Sequence, residues 1–390
     1  MRVAITNPTN WPHVRRGVER FCNDLAGYLT RRGHRVTVVS AKPGRRETSG
    51  DRGYTSVSHR RLWHPALARV GVLEFHPFAL TALANLLGGS YDVVLSCTFS
   101  DAFAATLARR VTGVGCVFLV NGLPPPVRYV RSATLRGAVF GRAIRNADEV
   151  VSLSAYMQQD LQQRFGRGGT RIPIPVDTDA FRLSRHRDHH RPVVFCAAAL
   201  DDARKGGRLL MKAFDRLKAT RPDAVLQVSS AISADTRSAL LDCVSPRWRG
   251  DVHFLGAGEL SELPALFGSA AISVLPSRWE PYGMVILESL ATGTPVVATR
   301  DGAIPELVSD PAVGRLFEPG PEVTVEPTNL TGLVQAMIDG LELSRRPETA
   351  DRCRAHAEQF SWSAIGPRFE ALLGGLANRR AATAEVRPPS

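Results

Sequence analysis

The chain opens with a short apolar run, VAIT at 3–6, a polar loop, an amphipathic stretch, GVERFCNDLAGYLTRRG at 17–33, and a second apolar run, RVTVVS at 35–40. Short β-branched runs predict buried strands and the 3.6-residue period between them predicts a helix, so this is a βαβ unit. Strand-like runs return at DVVLSC (92–97), GCVFLV (115–120) and EVVSLS (149–154), each beside a helical segment. The rhythm breaks at IPIPVDTDAFRLSRHRDHHRP (172–192), rich in proline and charge, and then resumes. The second series is VVFCAAAL (193–200), AVLQVSS (224–230), DVHFLG (251–256), AISVLPS (271–277) and PVVATR (295–300), and after 330 the pattern is helical. Strands alternating with helices predict an α/β protein built from two open, parallel, doubly wound domains. The expected division is a first domain over 1–180, a second over 181–360, a helix over 361–376 and a polar tail without structure over 377–390.

Composition narrows what such a frame does. With 390 residues and 44% hydrophobic content there is enough material for two cores. No apolar run approaches the roughly 18 residues of a spanning helix, and MRVAITNPTNW lacks the apolar core of a secretion signal, so a bacterial-type cytoplasmic protein is expected. The six cysteines form no CxxC pair, and Cys97, Cys116 and Cys196 lie in or beside strand-like runs, which predicts reduced core thiols rather than a metal site. Residues 1–180 hold 24 Lys or Arg against 12 Asp or Glu and residues 181–390 hold 25 against 25, so the whole net charge of +12 belongs to the first half. Such asymmetry suits an anionic acceptor, an acidic membrane surface or solvated arginines. Nucleic acid is not expected, because no basic face is interleaved with aromatics. A dinucleotide oxidoreductase would carry GxGxxG after the first strand, where this chain has NPTNWPHVRRG.

The densest chemistry is in SRWEPYGMVILESLATGTPVV, 277–297, where Glu280 and Glu288 flank a Pro281-Tyr282-Gly283 turn. Gly283 permits close backbone approach, and the helix that follows would aim the amides of Gly283, Met284 and Val285 at a polar ligand. Glu288 would lie roughly 7 to 8 Å deeper along it, so two carboxylates could grip separate parts of one elongated ligand. Sugar and ribose hydroxyls suit such acceptors. A second element, ALDDARKGGRLLMKAF at 199–214, sets Arg204 and Lys205 before a Gly-Gly and a helix, an arrangement suited to a diphosphate.

The Glu280-PYGMVIL-Glu288 stretch in its setting resembles the retaining GT-B glycosyltransferases of family 4, and the resemblance extends over most of 1–376. It implies two Rossmann-like domains facing across a cleft, with the 361–376 helix crossing back to the first. It further implies that Glu288 holds the nucleotide ribose, that Glu280 with the amides after Pro281 and Tyr282 holds the transferred sugar, and that Arg204 and Lys205 stabilise the leaving diphosphate. The family commonly supplies an arginine where this chain has Ala199, and Arg204 is expected to compensate. Of the glycine pair usual in the first loop only Gly17 remains, with Arg16 in the other place. Histidines frequent after two strands of the acceptor side are replaced by Cys97 and Asn121, and Asn121 cannot act as an acid or base at neutral pH.

The implied activity is metal-independent, retaining transfer of a hexose from a nucleoside-diphosphate sugar, with UDP or GDP as the nucleotide, to a hydroxyl or amine. The acceptor is a small metabolite, a lipid-linked molecule or a saccharide. No cofactor is expected. The alternative is a non-catalytic sugar-nucleotide-binding relic of the same fold. His64 and His76 fall in the region expected to shape the acceptor pocket. Asp177-Thr178-Asp179 imitates an acidic metal motif but reads as an interdomain segment, and His186, His189 and His190 read as a solvated linker. Residues 129–150, with Arg128 just before them, set Arg128, Arg131, Arg136, Arg142 and Arg145 around Leu135, Val139, Phe140 and Ile144. That pattern is open to two readings, a membrane-resting helix or an ordinary packed one.

Overall fold

The computed structural model describes residues 1–385 apart from 12, 15–16, 51, 63–75, 123–132, 257, 259 and 322–324. It divides into two compact units, Met1–Ile174 with Ile365–Ser390, and Pro175–Ala364. The first boundary therefore lies six residues before the expected one, because Val176 already pairs with Ser361 of the second unit and IPIPV carries no strand of the first.

Unit 1 runs β1 (Arg2–Thr6), α1 (Gly17–Arg31), β2 (Arg35–Lys42), β3 (Glu47–Ser49), β4 (Thr55–Arg60), α2 (Phe78–Gly88), β5 (Val93–Ser96), α3 (Phe99–Thr112), β6 (Gly115–Val120), α4 (Ala133–Asn146), β7 (Glu149–Ser152), α5 (Ala155–Phe165) and β8 (Thr170–Arg171). Its sheet order is β3-β4-β2-β1-β5-β6-β7-β8. All pairings are parallel except β3 with β4, so the sheet is not wholly parallel as expected: a short polar hairpin closes one edge. The chain order reverses between β1 and β5, where Thr6 faces Ser96 in register.

That reversal is pinned by one buried carboxylate. Asp101, in the first turn of α3, accepts hydrogen bonds from Thr6 Oγ1 (2.6 Å), from the backbone amides of Cys97 (3.1 Å) and Thr98 (3.0 Å), and from the Thr98 hydroxyl. The same residue thus caps α3 and ties the ends of β1 and β5 together.

Helix α4 turns Phe140, Ala143 and Ile144 into the core, where Phe140 packs on Phe99, Phe118 and Phe165, and leaves Arg142 and Arg145 exposed. Phe140 and Ile144 of that pattern are thus spent on the core of unit 1, as in the ordinary packed helix, whereas Val139 is half-buried and the side chains of Leu135 and Arg136 lie outside the described residues. Arg128 and Arg131 of the same pattern lie outside the described residues.

Unit 2 runs β9 (Val193–Cys196), α6 (Gly207–Leu217), β10 (Val225–Val228), α7 (Ala234–Leu241), β11 (Val252–Phe254), α8 (Leu263–Ser269), β12 (Ile272–Leu275), α9 (Met284–Ala291), β13 (Val296–Thr299), α10 (Ile304–Leu307), β14 (Gly314–Phe317), α11 (Leu330–Ser344) and α12 (Thr349–Glu358). The sheet, β11-β10-β9-β12-β13-β14, is parallel in every pairing and reverses between β9 and β12. Lys218 is buried just beyond α6, where it donates to Ala224 O (2.9 Å), pairs with Asp251 (2.9 Å) and lies over the Trp248 ring.

Helix α13 (Trp362–Glu385) belongs to unit 1 from Ile365 onward. Phe369 is fully buried against Phe21 of α1, with ring centroids 5.2 Å apart, and Glu370 binds His34 (2.9 Å) and Arg32 (3.1 Å). The helix runs nine residues past Leu376, so the tail expected at 377–390 is helical through Glu385; residues 386–390 lie outside the described residues. Alanine, arginine and glutamate in this stretch are strong helix formers and need no buried face to continue a helix already nucleated.

Burial raises the Asp101 carboxyl to about 6, against the opposing pull of its Thr6 and Thr98 hydrogen bonds. Because the folded value lies above the unfolded one, this group's contribution to stability is complete below pH 3.8 and is lost as pH rises through about 6. We expect the stability difference between wild type and Asp101→Asn to shrink by at most about 3 kcal/mol from pH 4 to pH 7 in urea unfolding. A difference independent of pH would remove this role.

Candidate active site

The carboxyl ends of β9 and β12, at the reversal of the unit 2 sheet, are where an open α/β sheet offers a crevice. After β12 the chain enters residues 276–283, a segment held in an uncommon conformation. Trp279 has φ 50°, the only non-glycine residue with positive φ among the described residues, and Gly283 has φ 98°. A large aromatic residue in the left-handed region costs on the order of 1 to 3 kcal/mol, and it persists only where the surroundings impose it.

The imposing contacts are specific. Arg278 N donates to Arg204 O (2.8 Å), Ala303 N donates to Glu280 O (2.8 Å) and the Thr299 hydroxyl donates to Ser277 O. The buried Arg278 guanidinium donates to Pro321 O (2.7 Å) and stands 3.4 Å from Asp301. Two glycines let other segments come this close. A Cβ on Gly302 would lie 2.4 Å from Glu280 O and 2.6 Å from Glu280 N, and one on Gly206 would lie 2.4 Å from Pro276 O; both glycines also have positive φ.

The outcome is to aim Glu280 at Lys205. The Lys205 ammonium lies 2.6 Å from Glu280 Oε2, with the carboxylate side chain 9% exposed and the ammonium side chain 23%. Lys205 ends a single 3-10 turn, Ala203–Lys205, capped by Asp202 and followed by left-handed Gly206 at the start of α6. Past Gly283, α9 begins at Met284 with Val285 beside it, and its Glu288 is 2% exposed. Pro281 and the buried Tyr282 complete the turn.

Arg204 is placed otherwise than its neighbour. Its guanidinium folds back on Asp202, at 2.6 Å from Nη2 and 3.2 and 3.1 Å from Nε. The Asp202 hydrogen bond, against burial, raises the Arg204 pKa and keeps it charged. Asp202 itself is partly buried, yet the hydrogen bonds from Arg204 outweigh that and hold its carboxyl below the usual range. Of the two expected cations, Lys205 meets the Glu280 carboxylate and Arg204 meets Asp202.

In unit 1, Gly17 begins α1 and Arg16 lies outside the described residues. Cys97 is buried at the end of β5, its Sγ 3.4 Å from that of Cys22, and Asn121 Nδ2 donates to Cys97 O (2.6 Å). The hydrogen bond with Cys22 and burial hold the Cys97 thiol well above its ordinary value, so it is protonated at neutral pH. Cys97 and Asn121 are brought together, and both shape the end of the strand without offering a base. His76 is half-buried with its ring 5.6 Å from Phe99, and His64 lies outside the described residues. Asp177 Oδ1 accepts from the amides of Asp179 and Ala180 (3.0 Å each), and Asp188 does the same for His190 (2.8 Å) and Arg191 (3.0 Å), so these acidic and histidine-rich segments are hydrogen-bonded turns. Residues that sequence reasoning did not single out are Gly206, Arg278, Trp279, Asp301 and Gly302; the glycines in KGG and DGA were the available signal.

Paired doubly wound units with this arrangement define the GT-B class of glycosyltransferase. A family model described as "Glycosyltransferase Family 4" matches residues 15–180 and one described as "Glycosyl transferases group 1" matches residues 191–342, and the chain belongs to glycosyltransferase family 4. It is similar to a glycogen synthase of Mycobacterium tuberculosis, 26% identical over 312 residues, 78% of this chain and 67% of that one. A GDP-mannose-dependent α-(1-6)-phosphatidylinositol monomannoside mannosyltransferase of Mycolicibacterium smegmatis is 27% identical over 405 residues, 97% of this chain and 100% of that one. In fold the chain matches sucrose-phosphate synthase of Thermosynechococcus elongatus with a TM-score of 0.79 and 19% identity over 96% and 98% of the two chains. The protein is a glycosyltransferase.

Replacing Gly302 by alanine would press a Cβ into the Glu280 backbone. We expect Gly302→Ala to weaken nucleoside diphosphate binding at least tenfold in calorimetry and to lower the melting temperature of the protein, whereas Gly250→Ala, where the added Cβ meets open space, should change neither. Equal affinity in Gly302→Ala and wild type would show that this close approach does not set the site.

Proposed function

We propose that the chain moves a hexose from a nucleoside-diphosphate sugar held by unit 2 to a hydroxyl of an acceptor taken by unit 1, with retention of anomeric configuration. The observation that carries this reading is the Lys205–Glu280 ion pair, built on a strained turn at the strand ends of unit 2, with a second buried carboxylate, Glu288, on the helix behind it. Lys205 is a cation held ready beside the place where a diphosphate would develop charge, and a fixed cation there stabilises the leaving group without reorganisation. Glu280, besides restraining Lys205, offers an acceptor for sugar hydroxyls, while Glu288 offers one for the ribose.

In the transfer, the bond from the anomeric carbon to the diphosphate oxygen breaks as the acceptor oxygen bonds to that carbon on the same face. The acceptor's proton passes to the departing diphosphate. Cys97, protonated, and Asn121, without a titrating group, are not bases, which supports leaving this proton to the phosphate. UDP and GDP are the proposed nucleotides, and the mannosyltransferase relative is named for GDP-mannose.

The acceptor is proposed to be polyhydroxylated, whether free, lipid-linked or saccharide. Unit 1 supports a lipid-linked one in two ways: residues 1–180 carry the whole positive excess, and Leu80 (66% exposed), Leu87 (44%) and Val111 (77%) present apolar side chains on the mutually packed α2 and α3. We therefore place the enzyme peripherally at an anionic membrane surface. Among the described residues no helix is long and apolar enough to cross one.

Nucleotide release from UDP-, GDP-, ADP- and dTDP-sugars without acceptor should show slow hydrolysis of one donor, reduced at least 100-fold in Lys205→Ala and Glu288→Ala. Silence across the panel together with no calorimetric binding of any nucleoside diphosphate would favour the relic. For the membrane reading, flotation with vesicles containing anionic lipid should carry the protein up at low salt and release it near 0.5 M salt, where screening is nearly complete. No flotation at low salt would refute it.

A further inference from the structure

At the sheet reversal of unit 1, the first turn of α1 presents Glu19, which is 4% exposed. Its Oε1 accepts a hydrogen bond from Thr9 Oγ1, whereas Oε2 is buried without a hydrogen-bond partner among the described residues. Leaving a buried acceptor unsatisfied costs on the order of 1 to 3 kcal/mol, more for a charged group. Native folds rarely keep one without use.

Two side-chain donors of the loop before α1 are committed elsewhere. Asn7 Nδ2 binds Thr9 O (2.7 Å), and Asn10 Nδ2 binds Ser56 Oγ (3.0 Å). On the same side of α1, one turn on, Cys22 Sγ lies 3.4 Å from Cys97 Sγ at the end of β5. Glu19 therefore stands by the ends of both β1 and β5, where a doubly wound sheet receives its ligand.

We propose that Glu19 is a positioning residue for the acceptor, its Oε2 receiving a hydroxyl of a neutral polyol. A carboxylate oxygen accepts hydrogen bonds, so the group it meets must donate, as a hydroxyl does and an ionised phosphate or carboxylate does not. The sugar or cyclitol portion of the acceptor, rather than any anionic portion, faces α1. Thr9 fixes the rotamer by holding Oε1. This inference rests on reading unit 1 as the acceptor side.

The test uses the full chain with saturating nucleoside diphosphate and, as probes, myo-inositol, methyl α-D-mannoside and methyl α-D-glucoside as neutral polyols and inositol 1-phosphate as an anionic one. Binding is titrated by saturation-transfer NMR for wild type, Glu19→Gln and Thr9→Val. At least one neutral probe should bind wild type, weaken tenfold or more in Glu19→Gln and about threefold in Thr9→Val, with nucleoside diphosphate affinity and melting temperature unchanged in Glu19→Gln. No neutral probe binding wild type, or equal affinity in Glu19→Gln, would overturn the proposal. A lowered melting temperature with unchanged probe affinity would likewise reduce Glu19 to a tether of Thr9. Nucleoside diphosphate affinity, read in the same samples, reports on unit 2 alone; its absence would count against the proposed donor chemistry and leave the Glu19 comparison standing as a measurement of polyol binding.

Discussion

The conformation of the turn at 276–283 is the constraint on which the unit 2 site depends. A tryptophan at φ 50° would relax if its neighbours allowed it, and they do not: Gly206 and Gly302 bring two other backbone segments to within van der Waals contact of Pro276 and Glu280, and hydrogen bonds from Arg278 and Ala303 lock the register. The strain is local, and the contacts that hold it come from other stretches of chain, around 204–206, 299–303 and 321. This explains why Lys205 and Glu280, 75 residues apart in sequence, meet at 2.6 Å. An ion pair on flexible loops would lose most of its value to solvent and to side-chain entropy. Here the backbone has been ordered by other contacts first, so the pair adds direction rather than having to create it.

Much of this architecture was legible in the chain, for reasons that differ by element. The central strands are nearly continuous apolar runs because both faces of a parallel sheet are covered, and VVLS, GCVFLV and VVFC stand out against amphipathic helices on that ground. The edge strand β3 (ETS) escaped because an edge tolerates polar residues on its open side, its neighbour β4 (TSVSHR) because only two of its six residues are buried, and β14 (GRLF) because a single arginine interrupts four residues. The last helix runs past its apolar stripe on residues that favour helix, with Arg379 reaching Glu149 at 3.6 Å. Pattern analysis weighs burial first, so a polar continuation such as ANRRAATAE looked like a tail.

The candidate residues divide in a similar way. Glu280, Glu288 and Lys205 were visible because carboxylates and a cation beside Pro and Gly are locally unusual. The roles of Arg204 and Asp202 were not, since nothing in ALDDARKGG tells which carboxylate an arginine will choose; the short reach to Asp202 two residues earlier won. Gly206 and Gly302 could be read as turn formers, but a close approach by another segment is a tertiary fact. Glu19 carried a subtler signal: on α1 it shares a face with Cys22, Ala26 and Leu29, a place where the helical period calls for an apolar residue.

The two units, each taken alone, solve the same physical problem differently. Both end their strands at a reversal of chain order, and both put a carboxylate at the first turns after it. In unit 2 that carboxylate, Glu280, is paired with a lysine; on the proposed reading a diphosphate would draw Lys205 away and leave Glu280 facing the hydroxyls of the attached sugar. In unit 1 the corresponding ends hold Asp101, saturated by four hydroxyl or amide donors from Thr6, Cys97 and Thr98, and Glu19, only half satisfied among the described residues. A saturated buried carboxylate builds structure and a half-satisfied one leaves capacity to bind. On the proposed reading the charge of each place suits its ligand: a cation-balanced carboxylate for a charged nucleotide sugar, and an acceptor with capacity left for the hydroxyls of a neutral partner.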